Sequence, residues 1–188
     1  MATKLKFLVP TGHLGFTPFE ADSFYRGVDK KPDFIVADSG SSDIGPYPLG
    51  SDHSHSPRAW QRQDLEHMLV AARKLGVPMI VGSASDTGTD SGVRAFAAMI
   101  RDIAAQHGLT PFKMATIFSE QDPEVIARAI ANGKTLAGLG GRDNATEELL
   151  ARTDRVVAVM GSDPIVEALK QGVDVVIAGR SCDSALCA

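Results

Sequence analysis

The stretch SPRAWQRQDLEHMLVAARKLGVPMIVGSASDTGTDSGV (residues 56–93) holds one full unit of the fold. Ser56-Pro57 reads as a helix start, a cap followed by proline at the first helical position. Leu65, Met68, Leu69, Ala72 and Leu75 recur at helical spacing and lay one apolar stripe, which Gly76 ends. Met79–Val81 is apolar without alternation, the pattern of a strand buried on both faces of a parallel sheet. A loop of small and polar residues follows, and then a second helix begins.

The same order recurs along the chain. Leu5–Val9, Phe34–Ala37, Phe112–Ile117, Val156–Val159 and Val173–Ala178 are further unbroken apolar runs. Val93, Phe96, Ala97, Ile100, Ile103 and Ala104 mark a helix after Asp90 that reaches Gly108. Asp122-Pro123 and Asp163-Pro164 open two more helices, which Gly133 and Gly172 stop, with Asp122, Asp163 and Asp90 read as caps. A minor helix is expected over Glu147–Arg152, and a long loop over Gly138–Asn144. Strands alternating with helices predict an α/β fold: one domain over residues 1–188, with an open, mostly parallel sheet of about six strands flanked by helices.

Composition excludes several functions. With 44% apolar and 22% charged residues, the 188-residue chain is globular, and its net charge of -4 speaks against nucleic acid as a partner. No apolar run approaches the roughly 18–20 residues that cross a bilayer. The N-terminal MATKLKFLVPTG reads as a strand rather than a signal peptide. Cys182 and Cys187 make no disulfide framework, so a cytoplasmic location is expected. Cys182–Ala188 reads as the first turns of an uncapped helix, which is marginal alone. The chain is therefore expected to be the N-terminal part of a longer protein. Its expected partners are a small-molecule substrate, a C-terminal domain of the same protein and further copies of itself.

In open parallel sheets ligands bind beyond the carboxyl ends of the strands. Those ends carry Thr11–Phe16, Asp38–Gly45, Gly82–Asp90, Ser119–Asp122 and Gly179–Ser184. The loops after strands two and three hold more Ser and Asp than capping requires, although solvated loops share that composition. His13, Asp43 and Asp86 are the candidate catalytic groups; imidazole both gives and takes a proton at neutral pH. Ser39, Ser41, Ser85, Thr87, Arg180 and Asp183 are candidate substrate-binding residues, with Arg180 suited to a carboxylate. Ser51-Asp52-His53-Ser54-His55-Ser56 is dense in potential metal ligands, and in an extended segment His53 and His55 share one side. A divalent metal would draw its ligands from Asp38, Asp43, His53, His55 and Asp86; oxygen ligation would favour magnesium or manganese, and both imidazoles zinc or iron. The same stretch also describes an exposed approach to a helix. No Gly-x-Gly-x-x-Gly, phosphate-binding Gly-x-x-x-x-Gly-Lys or Gly-x-Ser-x-Gly pattern follows any strand.

FLVPTGHLGF (7–16), DFIVADSGSSDIGPYPLGSD (33–52), the stretch 56–93 and VVIAGRSCDSA (175–185) together resemble the N-terminal region of the acyclic terpene utilisation (AtuA-like) family. The resemblance spans essentially the whole chain, with several loops agreeing in order and spacing. It implies a bacterial, cytosolic protein of acyclic terpene or carboxylic-acid catabolism, and it brings no established catalytic residues. The expected function is that of a catabolic enzyme or subunit acting on a small organic acid or its CoA thioester, of hydratase or lyase type. The alternative is a domain that binds a ligand without turning it over.

Overall fold

An unbroken apolar run needs cover on both faces of its strand, and the helices between the runs supply it. The structure is a computed structural model that describes residues 4–40 and 44–188. In chain order the strands are β1 (Phe7–Leu8), β2 (Phe34–Asp38), β3 (Met79–Gly82), β4 (Met114–Ile117), β5 (Glu120–Gln121), β6 (Val156–Val157) and β7 (Val175–Ala178). The helices are α1 (Ala21–Val28), α2 (Tyr47–Ser51), α3 (Arg58–Leu75), α4 (Asp90–Gln106), α5 (Pro123–Ala131), α6 (Glu147–Leu150) and α7 (Asp163–Lys170), with a short 3-10 helix over Asp183–Leu186.

Five strands form one parallel sheet in the order β1-β2-β3-β7-β4. Side chains alternate between its two faces. Ile35, Ala37, Met79, Val81 and Ile177 pack with the α3 and α4 residues Leu65, Met68, Phe96 and Ile100. Val36, Ile80 and Val176 pack on the other face with Ile165, Ala168 and Leu186. Both faces are closed, which is why these strands carry no polar alternation. The expected open parallel sheet with flanking helices is the fold observed.

Some local details differ from the sequence reading. Val156–Val157 does not enter the main sheet but pairs antiparallel with Glu120–Gln121. The place beside β3 goes to β7, whose Val175 is in register with both Met79 and Met114. Pro57, rather than Ser56, is the N-cap of α3, and Thr89, rather than Asp90, caps α4 by accepting the Gly92 N–H at 3.1 Å. Asp122 does cap α5, accepting the Glu124 N–H at 2.9 Å. Asp163 is itself the first residue of α7, behind Ser162. Gly76 closes α3 in the left-handed conformation, as expected of a helix-ending glycine. No helix among the described residues is long and apolar enough to cross a membrane.

The strand order sets the site. Parallel strands send all their carboxyl ends to one edge, so the exits of β1, β2, β3, β7 and β4 lie side by side there. With β7 between β3 and β4, Gly179–Asp183 becomes the direct neighbour of Gly82–Asp90.

Candidate functional site at the carboxyl edge of the sheet

Asp86, fully buried in the β3 exit loop, is the hub of the edge. Its Oδ1 accepts from His13 Nε2 at 2.7 Å and from the Ser56 hydroxyl at 2.9 Å. Its Oδ2 accepts from the Ser54 hydroxyl at 2.6 Å and the Ser56 N–H at 2.7 Å. Burial alone would raise this carboxyl; the hydrogen bonds from His13, Ser54 and Ser56 outweigh it and bring it down to about 2. Asp86 is therefore ionised at neutral pH and only accepts, which fixes the proton of the contact on His13 Nε2. His13 is 5% exposed and stacks on Phe16, ring centroids 5.1 Å apart. Nδ1 is then the ring nitrogen that can exchange a proton with a ligand.

The loop that presents Asp86 is strained. Ser83, Ser85 and Asp86 have φ of 46°, 68° and 63°, in the left-handed region that costs a non-glycine residue roughly 1–2 kcal/mol. Such strain persists where neighbours over-determine the backbone, and functional loops are a common place for it. Here the Ser83 N–H donates to Gly179 O at 3.0 Å and the Asp86 N–H to Ser39 O at 2.6 Å. Arg180 Nη2 donates to the carbonyl oxygens of Asp86 and Thr87 at 3.1 and 3.4 Å. Gly40 allows the β2 exit to come this close: a Cβ there would lie 2.8 Å from both Ser83 Cβ and Ser83 O. Gly40→Ala is expected to cost about 1–3 kcal/mol, the usual range for overpacking, because backbone rather than a flexible side chain stands in the way. Urea unfolding measures it; an unchanged midpoint would show that the loops are not held in contact.

The neighbouring segments are anchored in the same way. Asp64 Oδ2 accepts the Gly15 N–H at 2.7 Å and fixes the β1 exit. Gln61 Nε2 donates to Ser54 Oγ at 2.9 Å. Asp52 accepts from the hydroxyls of Thr89 and Ser91, both at 2.7 Å, tying the approach to α3 to the start of α4.

Of the candidate residues, the structure brings His13 and Asp86 into direct contact. Ser85 Oγ accepts from Arg58 Nη1 at 3.1 Å, and the Thr87 hydroxyl pairs with that of Thr89 at 2.9 Å. Ser39 is buried, and its Oγ has no partner among the described residues. Asp183 is exposed at the start of the 3-10 helix. Ser41 and Asp43 lie outside the described residues. His53 and His55 are both exposed, and the Tyr47 ring lies 5.3 Å from His55. The intervening Ser54 and Ser56 turn inward to Asp86. Among the described residues, no three His, Cys, Asp or Glu side chains gather in a way that could hold a metal ion.

Sequence reasoning missed Ser54 and Ser56. Their period-two alternation with the histidines was the available signal; the direction of the alternation depends on Asp86, 30 residues away. A cavity of about 490 Å³ lies at the other end of the sheet, between the end of α4 and the start of β4. Arg101 is its only ionisable side chain, so it lacks the convergent polar groups of the opposite edge.

The family model described as acyclic terpene utilisation family protein AtuA matches residues 9–188. No curated protein and no solved structure matches the chain.

Proposed function

The chain belongs to the acyclic terpene utilisation family, and from that membership we propose that it is a cytosolic catabolic enzyme, or the catalytic part of one, that moves a proton on a small organic acid or its CoA thioester. Membership itself implies a part in acyclic terpene utilisation. The observation that carries the enzymatic reading is the buried His13–Asp86 contact at 2.7 Å. An ionised carboxylate on Nε2 orients the imidazole and stabilises the imidazolium formed when Nδ1 takes a proton. Addition of water to a double bond, or its reversal, needs such a group. Arg180 uses Nη2 on two carbonyl oxygens; a guanidinium has five N–H donors, which leaves others for a substrate carboxylate.

The test is exchange of substrate hydrogen with solvent. Short-chain unsaturated acids and their CoA esters are incubated with the protein in D2O, and deuterium incorporation is followed by proton NMR. We expect incorporation with the wild type and a loss of about 10²–10⁴-fold in His13→Gln, the usual contribution of a general base. Incorporation that survives His13→Gln undiminished overturns the role of His13. Ligand-induced thermal stabilisation with no exchange in the wild type would instead assign the edge to binding alone.

A further inference from the structure

α3 carries a buried carboxylate that lacks a counter-charge. Asp64 is 4% exposed, and an aspartate buried to that degree is almost always paired. Its Oδ2 accepts the Gly15 N–H at 2.7 Å, its one hydrogen bond among the described residues. The nearby arginines of the helix are engaged elsewhere, Arg58 with Ser85 and Arg62 with Glu66. Asp64 Oδ1 is left without a partner, yet it is not sealed off as Asp38 Oδ1 is. Asp64 lines a cavity of about 270 Å³ between the β1 exit and the first turns of α3, and its open oxygen is within reach there. The rings of Phe16, Phe19 and Trp60 line the same cavity.

We infer that this cavity binds a small organic cation, an alkylammonium, whose N–H groups meet Asp64 Oδ1 and whose carbon chain lies against the aromatic rings. The inference goes beyond the reading of the edge as a proton-moving site and does not rest on it.

Three considerations select that ligand class. The first is charge. Asp64 is the only ionisable residue lining the cavity. Burial raises its carboxyl, and only the Gly15 N–H and the His67 charge work against that. A bound cation supplies the missing counter-charge, whereas an acid would set one carboxylate against another and a plain hydrocarbon would leave Oδ1 unpaired. The second is the walls. Aromatic faces attract cations, the indole most strongly. Trp60 and Asp64 are four residues apart, so one face of α3 presents both. The third is the way the cavity is built. A Cβ on Gly15 would lie 2.5 Å from Gln61 Cγ and 2.9 Å from Gln61 N, so the β1 exit packs directly on the helix. The opposite wall is thereby fixed before any ligand arrives. The volume lies just under the roughly 300–1,000 Å³ of drug-sized sites and suits a chain of a few carbons.

Trp60 is the only tryptophan of the chain, so its fluorescence reports on this cavity alone. The probe is butylammonium at pH 7, with butan-1-ol as the neutral control and butanoate as the anionic one. The wild type is expected to show a saturable change with butylammonium, and to bind the two controls at least about tenfold more weakly. Asp64→Asn keeps an acceptor for Gly15 and removes the charge. It is expected to weaken butylammonium binding about 10–100-fold, the scale of a hydrogen bond to a charged group. Trp60→Leu changes an exposed side chain and keeps an apolar wall. Followed by saturation-transfer NMR of the ligand, it is expected to weaken binding about threefold to tenfold, as loss of a cation–π contact does. Butan-1-ol binding as tightly as butylammonium would make the cavity an apolar subsite and overturn the proposal. Full affinity in both variants, or no saturable change in the wild type, would overturn it as well.

Discussion

Asp86→Asn is expected to lower the unfolding free energy at pH 7 by roughly 3–5 kcal/mol, the range for breaking a buried charged network from one side. Asparagine tolerates the left-handed region well, so the φ of 63° at this position does not confound the result. What changes is chemistry. Asp86 accepts from His13, Ser54 and Ser56, the last through both hydroxyl and N–H. An amide NH2 turned to either pair meets donors with a donor. The pH dependence carries the sign. The folded value of about 2 lies below the ordinary 3.8, so the carboxylate's stabilisation is present above 3.8 and is lost as pH falls through 2. That shift corresponds to about 2 kcal/mol of linkage; the stranded donors make up the rest. Urea unfolding between pH 7 and pH 2 should show a loss of stability between about pH 4 and pH 2 that is steeper in the wild type than in Asp86→Asn, which keeps only the slope of the other paired carboxylates such as Asp52 and Asp174. A variant as stable as the wild type at pH 7 would mean that Asp86 is not the hub of the edge.

Asp38→Asn is expected to act in the opposite direction. The folded value of about 6 lies above the ordinary 3.8. Relative to the unfolded chain, the folded state is then favoured below 3.8, and that advantage is lost as pH rises through 6. At pH 8 the wild type holds a buried, half-paired carboxylate at a cost of up to about 3 kcal/mol. Removing the charge should stabilise the protein by up to that amount at pH 8 and by little at pH 3.5. A stabilising substitution at a buried acidic residue on the carboxyl edge is what a site that trades stability for function would show. Equal stability of the two proteins at pH 8 would place the carboxylate in a solvated setting.

The same two aspartates mark how far sequence reaches. The α3 stripe, its Gly76 stop and the unbroken strand runs are local patterns, and they give the α/β sheet with its polar edge directly. His13 and Asp86 were recognisable as candidates because both follow strands whose exits must share that edge. Ser56 was not, because a serine before a proline at a helix start already has a local explanation; its real partner is 30 residues away. Val156–Val157 looked like a sheet strand because four apolar residues do not reveal their partner, and β7 takes the place beside β3 through a pairing almost a hundred residues apart. Asp38 was legible as an acidic residue at a strand end, and so as a metal ligand. That one of its oxygens is buried without a partner follows from how Gly82 and Leu186 close around it: a Cβ on Gly82 would lie 3.1 Å from Asp38 Oδ1 and 2.8 Å from Leu186.

Hydrogen–deuterium exchange with and without a bound organic acid or CoA ester tests most directly whether the carboxyl edge of the sheet is where this chain meets its ligand. Protection confined to peptides covering residues 11–17, 38–40, 82–90 and 179–183 is the expected result. Protection centred instead on residues 101–114, around the large cavity at the opposite end, would contradict it.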